Sequence, residues 1–300
     1  MGHTVKIVIG MDSSPASQCV LEEAAARPWP ANAEFSIVTV VDVYHFAQLP
    51  AIVEDARREG NKLVRLAGER LSRAGHKPHT ELLLGVPRQE IAAYAKRCQV
   101  QLILVGSHGQ GTLSRFLLGS VAQGVLRTAP CSVEIVRLST SVSPASSHSM
   151  KIMLATDGSE FSTAAAKAIA NRPWPTGSEI KILSVEELPN LENQMMASPL
   201  SAIYPASLLE ELLESSRHHA KEAVETARKI LVTGKVRILN SKPAPVGDPR
   251  VLILDHAKEW GADLIVLGSH GRRGLDRMLM GSVSQAVAMH AHCSVEVSRP

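Results

Sequence analysis

The feature that most constrains the fold is a glycine pattern that occurs twice. The sequence Gly-Ser-His-Gly stands at 106–109 and again at 268–271, and after nine further residues each copy is followed by Gly-Ser, at 119–120 and 281–282. Each copy comes directly after a run of aliphatic residues that is typical of a buried strand. Two copies of one spaced pattern are hard to obtain by chance. They predict a chain built from two related halves.

Other shared segments give the register of this duplication. Arg-Pro-Trp-Pro at 27–30 recurs at 172–175, an offset of 145, and Cys-Ser-Val-Glu at 131–134 recurs at 293–296, an offset of 162. Because the offset grows from 145 to 162, the second half carries 17 extra residues. We place them in a surface loop around Leu188–Ser207.

A period of this length indicates domain duplication and excludes a solenoid of short repeats. The Ser-rich composition of the segment between the halves predicts a linker. The predicted organisation is a first domain over 1–138, a linker over 139–149 and a second domain over 150–300.

Composition narrows the class of protein. Of the 300 residues, 45% are hydrophobic but only 3% aromatic, so the core must be aliphatic, as in buried parallel sheets. A net charge of +3 without a dense basic block argues against a nucleic-acid partner. No apolar run approaches the roughly 20 residues that span a bilayer, which argues against a membrane partner. Four cysteines without C-x-x-C spacing, and no secretory leader, predict a cytoplasmic location.

Strand and helix patterns alternate along each half, which predicts a parallel sheet with helices on both faces. A proline cannot sit in a central strand, so Pro243 and Pro245 place the third strand of the second half at an edge. A doubly wound five-stranded sheet in the order 3-2-1-4-5 satisfies this condition. Its switch point lies between strands 1 and 4, whose carboxyl ends carry Asp12 and Gly106. Ser14-Pro15 predicts the start of the first helix.

The glycines after strand 4 would let the backbone approach a phosphate and direct amide N–H groups at it. Gly-Ser at 119–120 and 281–282 would then open the last helix of each half, whose N-terminus favours an anion. A structural alternative stays open, because Ser120 with Gln123, like Ser282 with Gln285, fits the S-x-x-Q capping box.

Two further pairs of residues recur near these loops. Asp12 and Asp157 end the first strand of each half, either as turn or capping residues or to accept a ribose hydroxyl or hold Mg²⁺, directly or through water. Arg115 and Arg277 occupy matching places within the nine-residue spacers, where they either reach a terminal phosphate or are merely solvated. No paired base or nucleophile is evident, so we assign no catalytic residue.

With both glycine signatures, G-x2-G-x9-G-[ST], and an Asp after each first strand, the chain resembles a tandem universal stress protein. The resemblance covers nearly the whole chain and implies adenine nucleotide alpha hydrolase-like domains that bind ATP, AMP or ADP at the switch point. By this likeness Val40 and Val185, at the end of strand 2, offer backbone hydrogen bonds to adenine. The remaining implied phosphate-binding residues are Gly106, Gly109, Gly119, Ser120 and Val121, and in the second half Gly268, Gly271, Gly281, Ser282 and Val283.

The family also implies that the two halves pair through strand 5 as a pseudo-dimer. Higher association stays open at this point, with a homodimer of chains as the candidate. Here Glu134 and Glu296 interrupt that strand. They are expected either to point outward and protect a sheet edge, or to lie in the interface with Arg137 and Arg299 as partners. The sites also differ, since Gln-Gly at 110–111 matches Arg-Arg at 272–273, which predicts unequal affinity for nucleotide.

The function expected from these residues and the resemblance is that of a nucleotide-binding regulatory protein of the stress response, with ATP and Mg²⁺ at two sites. A weak Mg-dependent ATPase and an interaction scaffold with empty sites are the alternatives. A dinucleotide enzyme is excluded, because the glycine motif follows strand 4 and the first βα turn lacks G-x-G-x-x-G. The serine- and glycine-rich loop of adenylate-forming enzymes is also missing after strand 1.

Overall fold

A computed structural model describes residues 4–43, 50–109, 118–137, 149–186, 206–234, 236–240, 245–272 and 280–300. The elements of the first half, in chain order, are β1 (Val5–Gly10), α1 (Pro15–Ala26), β2 (Ala33–Val41), α2 (Pro50–Arg73), β3 (His79–Leu84), α3 (Pro87–Cys98), β4 (Leu102–Gly106), α4 (Ser120–Thr128) and β5 (Ser132–Val136). Those of the second half are β6 (Lys151–Ala155), α5 (Glu160–Ala170), β7 (Glu179–Leu183), α6 (Ala206–Leu231), β8 (Arg237–Ile238), α7 (Pro249–Trp260), β9 (Leu264–Gly268), α8 (Ser282–His290) and β10 (Ser294–Ser298).

The strands form one ten-stranded sheet in the order β3-β2-β1-β4-β5-β10-β9-β6-β7-β8. Each half therefore has the predicted order 3-2-1-4-5, with parallel pairing throughout. The halves join where β5 pairs with β10, and this pairing is antiparallel. The predicted pseudo-dimer is thus confirmed as a feature of one chain. A homodimer of chains stays a prediction.

Local sequence explains how the elements begin and where they lie. Helix α1 starts as predicted, with Pro15 in its first turn and the Ser14 hydroxyl accepting a hydrogen bond from the Ser17 amide at 3.2 Å. The third strands β3 and β8 are the edges of the sheet, as Pro243 and Pro245 predicted. Of these prolines, Pro243 lies outside the described residues. The predicted linker and most of the predicted insertion also lie outside them and stay predictions.

The core is aliphatic and differs between the two faces of the sheet. On one face a single apolar cluster runs through both halves, from Val8 and Ile103 to Ile265 and Val295. On the other face each half has a cluster of its own, the first around Ile9 and α2 and the second around the strands and helices of residues 150–266. The continuous cluster joins the halves into one folded unit. No helix in the described ranges is long and apolar enough to cross a membrane.

The two acidic residues of the central strands are buried, so the expectation of edge protection is wrong. Glu134 and Glu296 lie directly opposite each other in the β5·β10 pair, and both are 0% exposed. The alternative, that they lie in the interface between the halves, is confirmed, but its expected partners Arg137 and Arg299 are wrong. Arg27 donates two hydrogen bonds to the Glu134 carboxylate, at 2.8 and 2.7 Å.

The second half repeats this ion pair. The Arg172 Nη2 donates to Glu296 Oε2 at 2.6 Å. Both arginines belong to the repeated Arg-Pro-Trp-Pro segment, whose indoles cover them: the Arg27 guanidinium lies 5.4 Å from the ring centroid of Trp29 and 5.7 Å from that of Trp174. Two like charges face each other in an antiparallel pair, and each is compensated by its own arginine. We call Glu134, Glu296, Arg27 and Arg172 the central charge cluster.

Candidate functional site

The candidate site lies at the carboxyl ends of β1 and β4, which are neighbours in the sheet. The chain leaves β1 toward β2 on one side, while β4 leads to β5 on the other, so a crevice opens between the two strands. Asp12 follows β1 and Gly106 ends β4. The topology therefore brings the aspartate and the glycine loop together, as the sequence predicted. In the second half β6 and β9 are paired in the same way.

Hydroxyl and amide donors hold the Asp12 carboxylate in a fixed orientation. Its Oδ1 accepts hydrogen bonds from the Ser14 amide at 2.9 Å, from the Ser17 hydroxyl at 2.6 Å and from the Ser14 hydroxyl. The Ser17 hydroxyl in turn accepts from the Asp12 amide at 3.0 Å. The other carboxylate oxygen of Asp12, Oδ2, faces the glycine loop, since a Cβ atom built on Gly109 would lie 3.0 Å from it. The carboxylate thus presents one oxygen to the loop.

Backbone hydrogen bonds bring the two ends of the nine-residue spacer together. The Ser107 amide donates to the carbonyl of Val136 at 2.9 Å, and the Gly119 amide donates to the carbonyl of Ser107 at 2.8 Å. A Cβ atom on Gly119 would lie 3.4 Å from both the Ser107 oxygen and the Cα of His108. The backbone of residues 107–109 and that of Gly119 are therefore closely packed, and we call them the backbone platform.

The glycine that opens each signature has a packing reason of its own. A Cβ atom on Gly106 would lie 2.9 Å from the Cβ of Ala16 in α1, and one on Gly268 would lie 2.6 Å from the carbonyl carbon of Phe161 in α5. These two glycines allow the first helix of each half to approach the end of the fourth strand. They were predicted as phosphate-binding residues, and the structure gives them this second role.

The capping-box alternative for the serines is wrong. Gly119 is the N-cap of α4, without a side-chain cap hydrogen bond, and Ser120 is the first helical residue. The Gln123 side chain instead donates to the carbonyl of Leu118 at 2.6 Å. In α8 the N-cap is likewise a glycine, Gly281, without a side-chain cap hydrogen bond. Because no side chain caps either helix, the amides of the first turn have no hydrogen-bond partner within the helix.

A cavity of about 230 Å³ opens at this place in the first half. Its lining combines apolar side chains with the Asp12 carboxylate and the backbone of the glycine signature. Every predicted first-half site residue that the structure describes lines it: Asp12, Val40, Gly106, Gly109, Gly119, Ser120 and Val121. The remaining lining residues are Gly10, Met11, Ser17, Val38, Pro87, Ile91, Val105, His108 and Ala122. Arg115 lies outside the described residues.

The second half holds its aspartate differently. Asp157 Oδ1 accepts from the Ser159 amide at 3.1 Å, and Oδ2 accepts from the Arg272 amide at 3.0 Å. The Ser162 hydroxyl, which matches that of Ser17, donates to the carbonyl of Ser159 at 3.0 Å instead of to the aspartate. A Cβ atom on Gly271 would lie 2.8 Å from Asp157 Oδ2, so the loop and the carboxylate are again close neighbours.

The rest of the second site follows the first with small differences. The Gly281 amide donates to the carbonyl of Ser269 at 2.9 Å, and Ser282 and Val283 follow in the first turn of α8. His270 is buried, with its ring 4.9 Å from that of Phe161. Val185 does not end its strand as predicted, since β7 stops two residues earlier at Leu183. Arg277 lies outside the described residues.

Among the described residues no three His, Cys, Asp or Glu side chains are close enough to hold a metal ion by themselves. Asp12 and Asp157 each offer a carboxylate that faces a glycine loop. Mg²⁺ is commonly bound by one or two carboxylates together with phosphate oxygens and water. The residues present therefore fit Mg²⁺ as a companion of a bound phosphate group, and not as an ion held by protein alone.

Sequence reasoning missed two sets of residues. Ser17 orients Asp12, and its position three residues after the helix cap Ser14 would have indicated that it faces the same turn. Pro87 and Ile91 of α3 contribute to the cavity wall. The signal available for them is Gly-x-Pro at 85–87, which recurs at 247–249, but the sequence alone does not show that this segment lies beside the cavity.

Comparisons with known proteins agree with this architecture. A model of the Universal stress protein family matches residues 4–137 and 148–299. A universal stress protein of Mycobacterium tuberculosis is 28% identical over 316 residues, covering 98% of this chain and 96% of that protein. One of Methanocaldococcus jannaschii is 37% identical over 138 residues, covering 44% of this chain and 81% of that protein. The crystal structure of a universal stress protein from Archaeoglobus fulgidus has a TM-score of 0.66 at 19% identity, covers 98% of both chains and shares the fold.

Proposed function

The chain belongs to the universal stress protein family, and from that premise we propose that each half binds an adenine nucleotide, so that the protein acts as a nucleotide-responsive regulator. The observation that carries the proposal is the cavity of the first half. A carboxylate, a glycine loop and the N-terminus of a helix meet there around one opening. These are the parts that a nucleotide needs, and they come from three separate stretches of sequence.

The polar part of the cavity lining suits the phosphates. Gly109 and Gly119 lack side chains where the backbone platform faces the cavity, so phosphate oxygens would approach the amides closely. The first-turn amides of α4, at Ser120 and Val121, have no partner within the helix, and the helix dipole adds positive potential there. The Ser120 hydroxyl, which closes no capping box, would supply one more donor.

The wall and the carboxylate suit the nucleoside. Val38, Val40 and Ile91 form an apolar surface for a flat base. Asp12 would accept hydrogen bonds from ribose hydroxyls, because it lines the cavity and its carboxylate is already held in place by Ser14 and Ser17. The cavity is somewhat smaller than the roughly 300–1,000 Å³ of pockets that enclose a drug-sized ligand. It would therefore take the nucleoside inside and leave the phosphates at the mouth.

In the second half the same roles fall to Asp157, to the glycines of its signature and to Ser282 and Val283. The backbone of Val185 would offer a hydrogen bond to the base beyond the end of β7. When bound, Mg²⁺ would neutralise charge on the phosphates, with Asp12 and Asp157 as the protein ligands, directly or through water.

The test is mass analysis of nucleotide that co-purifies with the protein, which reports identity and stoichiometry together. We expect an adenine nucleotide at up to two molecules per chain. In a Gly109→Val, Gly271→Val double variant it should be lost, because the added side chains would meet the carboxylates of Asp12 and Asp157. A Ser13→Ala variant, at an exposed neighbour of Asp12, is the matched control and should keep its nucleotide.

The other functions give distinct outcomes in the same experiment. Conversion of added Mg-ATP to ADP by the purified wild type, but not by the double variant, would indicate a slow ATPase. Absence of nucleotide, together with no heat of binding when Mg-ATP is titrated in, would contradict the proposal and favour an interaction scaffold.

A further inference from the structure

The two arginines that follow the central strands make crossed contacts between the halves. Arg137, directly after β5, donates through Nη2 to the carbonyls of Ala288 and Met289 at 2.7 and 3.0 Å. Both carbonyls belong to the last turn of α8, in the other half. Its own amide donates to the Ser294 hydroxyl at 3.2 Å, also in the other half.

Arg299, directly after β10, makes the reciprocal contacts. Its Nη2 donates to the carbonyl of Leu126 in the last turn of α4 at 2.7 Å, and its Nη1 donates to the carbonyl of Cys131 at 3.1 Å. Its amide donates to the Ser132 hydroxyl at 3.1 Å. Within the described ranges, the side chains of both arginines thus bond to carbonyls at the end of a helix. A cation at a helix C-terminus satisfies orphan carbonyls and complements the helix dipole.

The helices held in this way are the ones whose N-termini face the candidate sites. Helix α4 begins beside the first cavity and α8 beside the matching loop of the second half. Each has only nine residues, a rod of about 13 Å. The N-terminus of so short a helix moves when its C-terminus moves. Each arginine is therefore placed to set the position of the phosphate-facing amides in the half to which it does not belong.

The residue before each arginine connects it to the site of its own half. The carbonyl of Val136 accepts from the Ser107 amide at 2.9 Å, at the start of the first glycine loop. The carbonyl of Ser298 accepts from the Ser269 amide, also at 2.9 Å, at the start of the second. A single dipeptide in each half, 136–137 or 298–299, thus contacts the glycine loop of its own half and the helix of the other.

We infer that Arg137 and Arg299 are positioning residues that each hold the phosphate-facing helix of the opposite half, and that they couple the two sites. The inference rests on the proposed function, since it assigns a regulation to those sites. Nucleotide that shifts one glycine loop would move the attached dipeptide and, through its arginine, the helix of the other site. By thermodynamic reciprocity the coupling acts equally in both directions.

The first test needs no nucleotide. Residue-resolved amide hydrogen exchange is measured on the full-length protein and on Arg137→Gln and Arg299→Gln, which keep a polar side chain but lose the charge and the reach. Two backbone amides report on the start of each helix. For α8 they are the amides of Gln285 and Gly281, and for α4 they are those of Gln123 and Gly119.

We expect Arg137→Gln to speed exchange of Gln285 and Gly281 about fivefold or more, with Gln123 and Gly119 changed less than about twofold. Arg299→Gln should give the opposite pattern. Arg127→Gln removes an exposed cation from the last turn of α4 and is the control for charge alone, with no change expected at Gln123. Faster exchange that is confined to the last helical turns, or equal in both halves, would overturn the inference.

The second test measures Mg-ATP affinity by calorimetry in backgrounds with one site disabled. With Gly109→Val, which leaves the second site, Arg137→Gln should raise Kd about fivefold and Arg299→Gln should not. With Gly271→Val the effects should exchange. An effect of each arginine on its own half, or on both, would refute the crossed assignment. If the wild type binds no nucleotide, the proposed function fails, while the exchange experiment still decides whether the arginines position these helices.

Discussion

The two halves place an aspartate at the same point and hold it with different groups. In the first half the hydroxyls of Ser14 and Ser17 bind the Asp12 carboxylate. In the second, Asp157 takes backbone amides, from Ser159 and Arg272, at its two oxygens. The duplicated strands and glycines thus specify where the carboxylate lies. The neighbouring side chains, which have diverged, decide how it is oriented and what it can still bind.

The central charge cluster shows the same kind of divergence. Arg27 lies between the carboxylates of Glu134 and Glu23 and is covered by two indole rings. Of the described carboxylates Arg172 binds only that of Glu296, and its Nε donates a hydrogen bond to the carbonyl of Ala168 at 3.1 Å. Ala168 stands at the position that matches Glu23. The first half has therefore concentrated more charge at the centre of the molecule.

The largest effect is expected from removing one arginine of this cluster. Arg27→Met leaves Glu134 buried without its partner, which should lower the free energy of unfolding by about 3–5 kcal/mol. Arg172→Met should cost less, because Glu296 keeps a hydrogen bond from the Ser298 hydroxyl at 3.3 Å. Guanidinium denaturation of both variants measures the two costs. An equal or larger loss for Arg172→Met would contradict the assignment of the first half as the more charge-dependent one.

The cost of Arg27→Met should also depend on pH. Burial alone would raise the pKa of Glu134, but the charge and hydrogen bonds of Arg27, with the charge of Arg172, lower that pKa below its usual value. A carboxyl group with a lowered folded-state pKa adds stability above its unfolded-state pKa, and this stability is lost as pH falls through the folded-state value. In the variant, burial dominates and the advantage disappears. The difference from wild type should therefore be largest near neutral pH. It should begin to shrink above about pH 4.3, the ordinary pKa of Glu, because burial raises the folded-state pKa of Glu134 in the variant, and it should go on shrinking as pH falls through the lowered pKa of the wild type. A constant difference between about pH 7 and pH 3.5 would contradict this account.

The next effect compares the glycines that end β4 and β9. A Cβ atom on Gly268 would lie 2.6 Å from the Phe161 carbonyl carbon and 2.7 Å from the Ser162 nitrogen, whereas one on Gly106 would meet Ala16 at 2.9 Å or more. Overpacking against backbone costs about 1–3 kcal/mol. We expect Gly268→Ala at the upper end of this range and Gly106→Ala at the lower, as measured by the shift of the guanidinium midpoint. Equal shifts would show that α1 and α5 approach their strands equally closely.

These residues also show what sequence can and cannot predict. The strand order and the site at the switch point follow from local signals: apolar runs, glycines after strand 4 and prolines beside strand 3. The partners of Glu134 could not be found in that way, because Arg27 is 107 residues distant. The nearby Arg137 was the expected partner, yet strand geometry directs it to α8. The available signal was the repetition of Arg-Pro-Trp-Pro. The end of a helix does not require this motif, so its presence in both halves indicated a further role for its arginine.

A smaller effect should separate the two aspartates. Ser17→Ala removes a hydroxyl that donates to Asp12 at 2.6 Å, and hydrogen bonds to charged groups contribute about 1.5–3 kcal/mol. We expect about a tenfold weaker affinity for Mg-ATP at the first site, measured in the Gly271→Val background. Ser162→Ala, measured in the Gly109→Val background, is the matched control. It should change affinity by less than about twofold, since Ser162 donates to a carbonyl and not to Asp157. Similar losses in the two variants would show that the hydroxyls act through helix stability and not through the carboxylate.

The smallest effect tests the charge difference between the loops. Arg272 stands where the first half has Gln110, and its side chain is exposed, so its charge acts on a bound phosphate through solvent. Exposed charge pairs contribute up to about 1 kcal/mol, and salt screens them. Arg272→Gln should therefore weaken Mg-ATP binding at the second site by about two- to fivefold at low ionic strength and by less in about 0.5 M salt. The substitution keeps the backbone amide that donates to Asp157, so the loss reports the side-chain charge alone. A loss that persists unchanged in high salt would show that Arg272 contacts the ligand in a desolvated position.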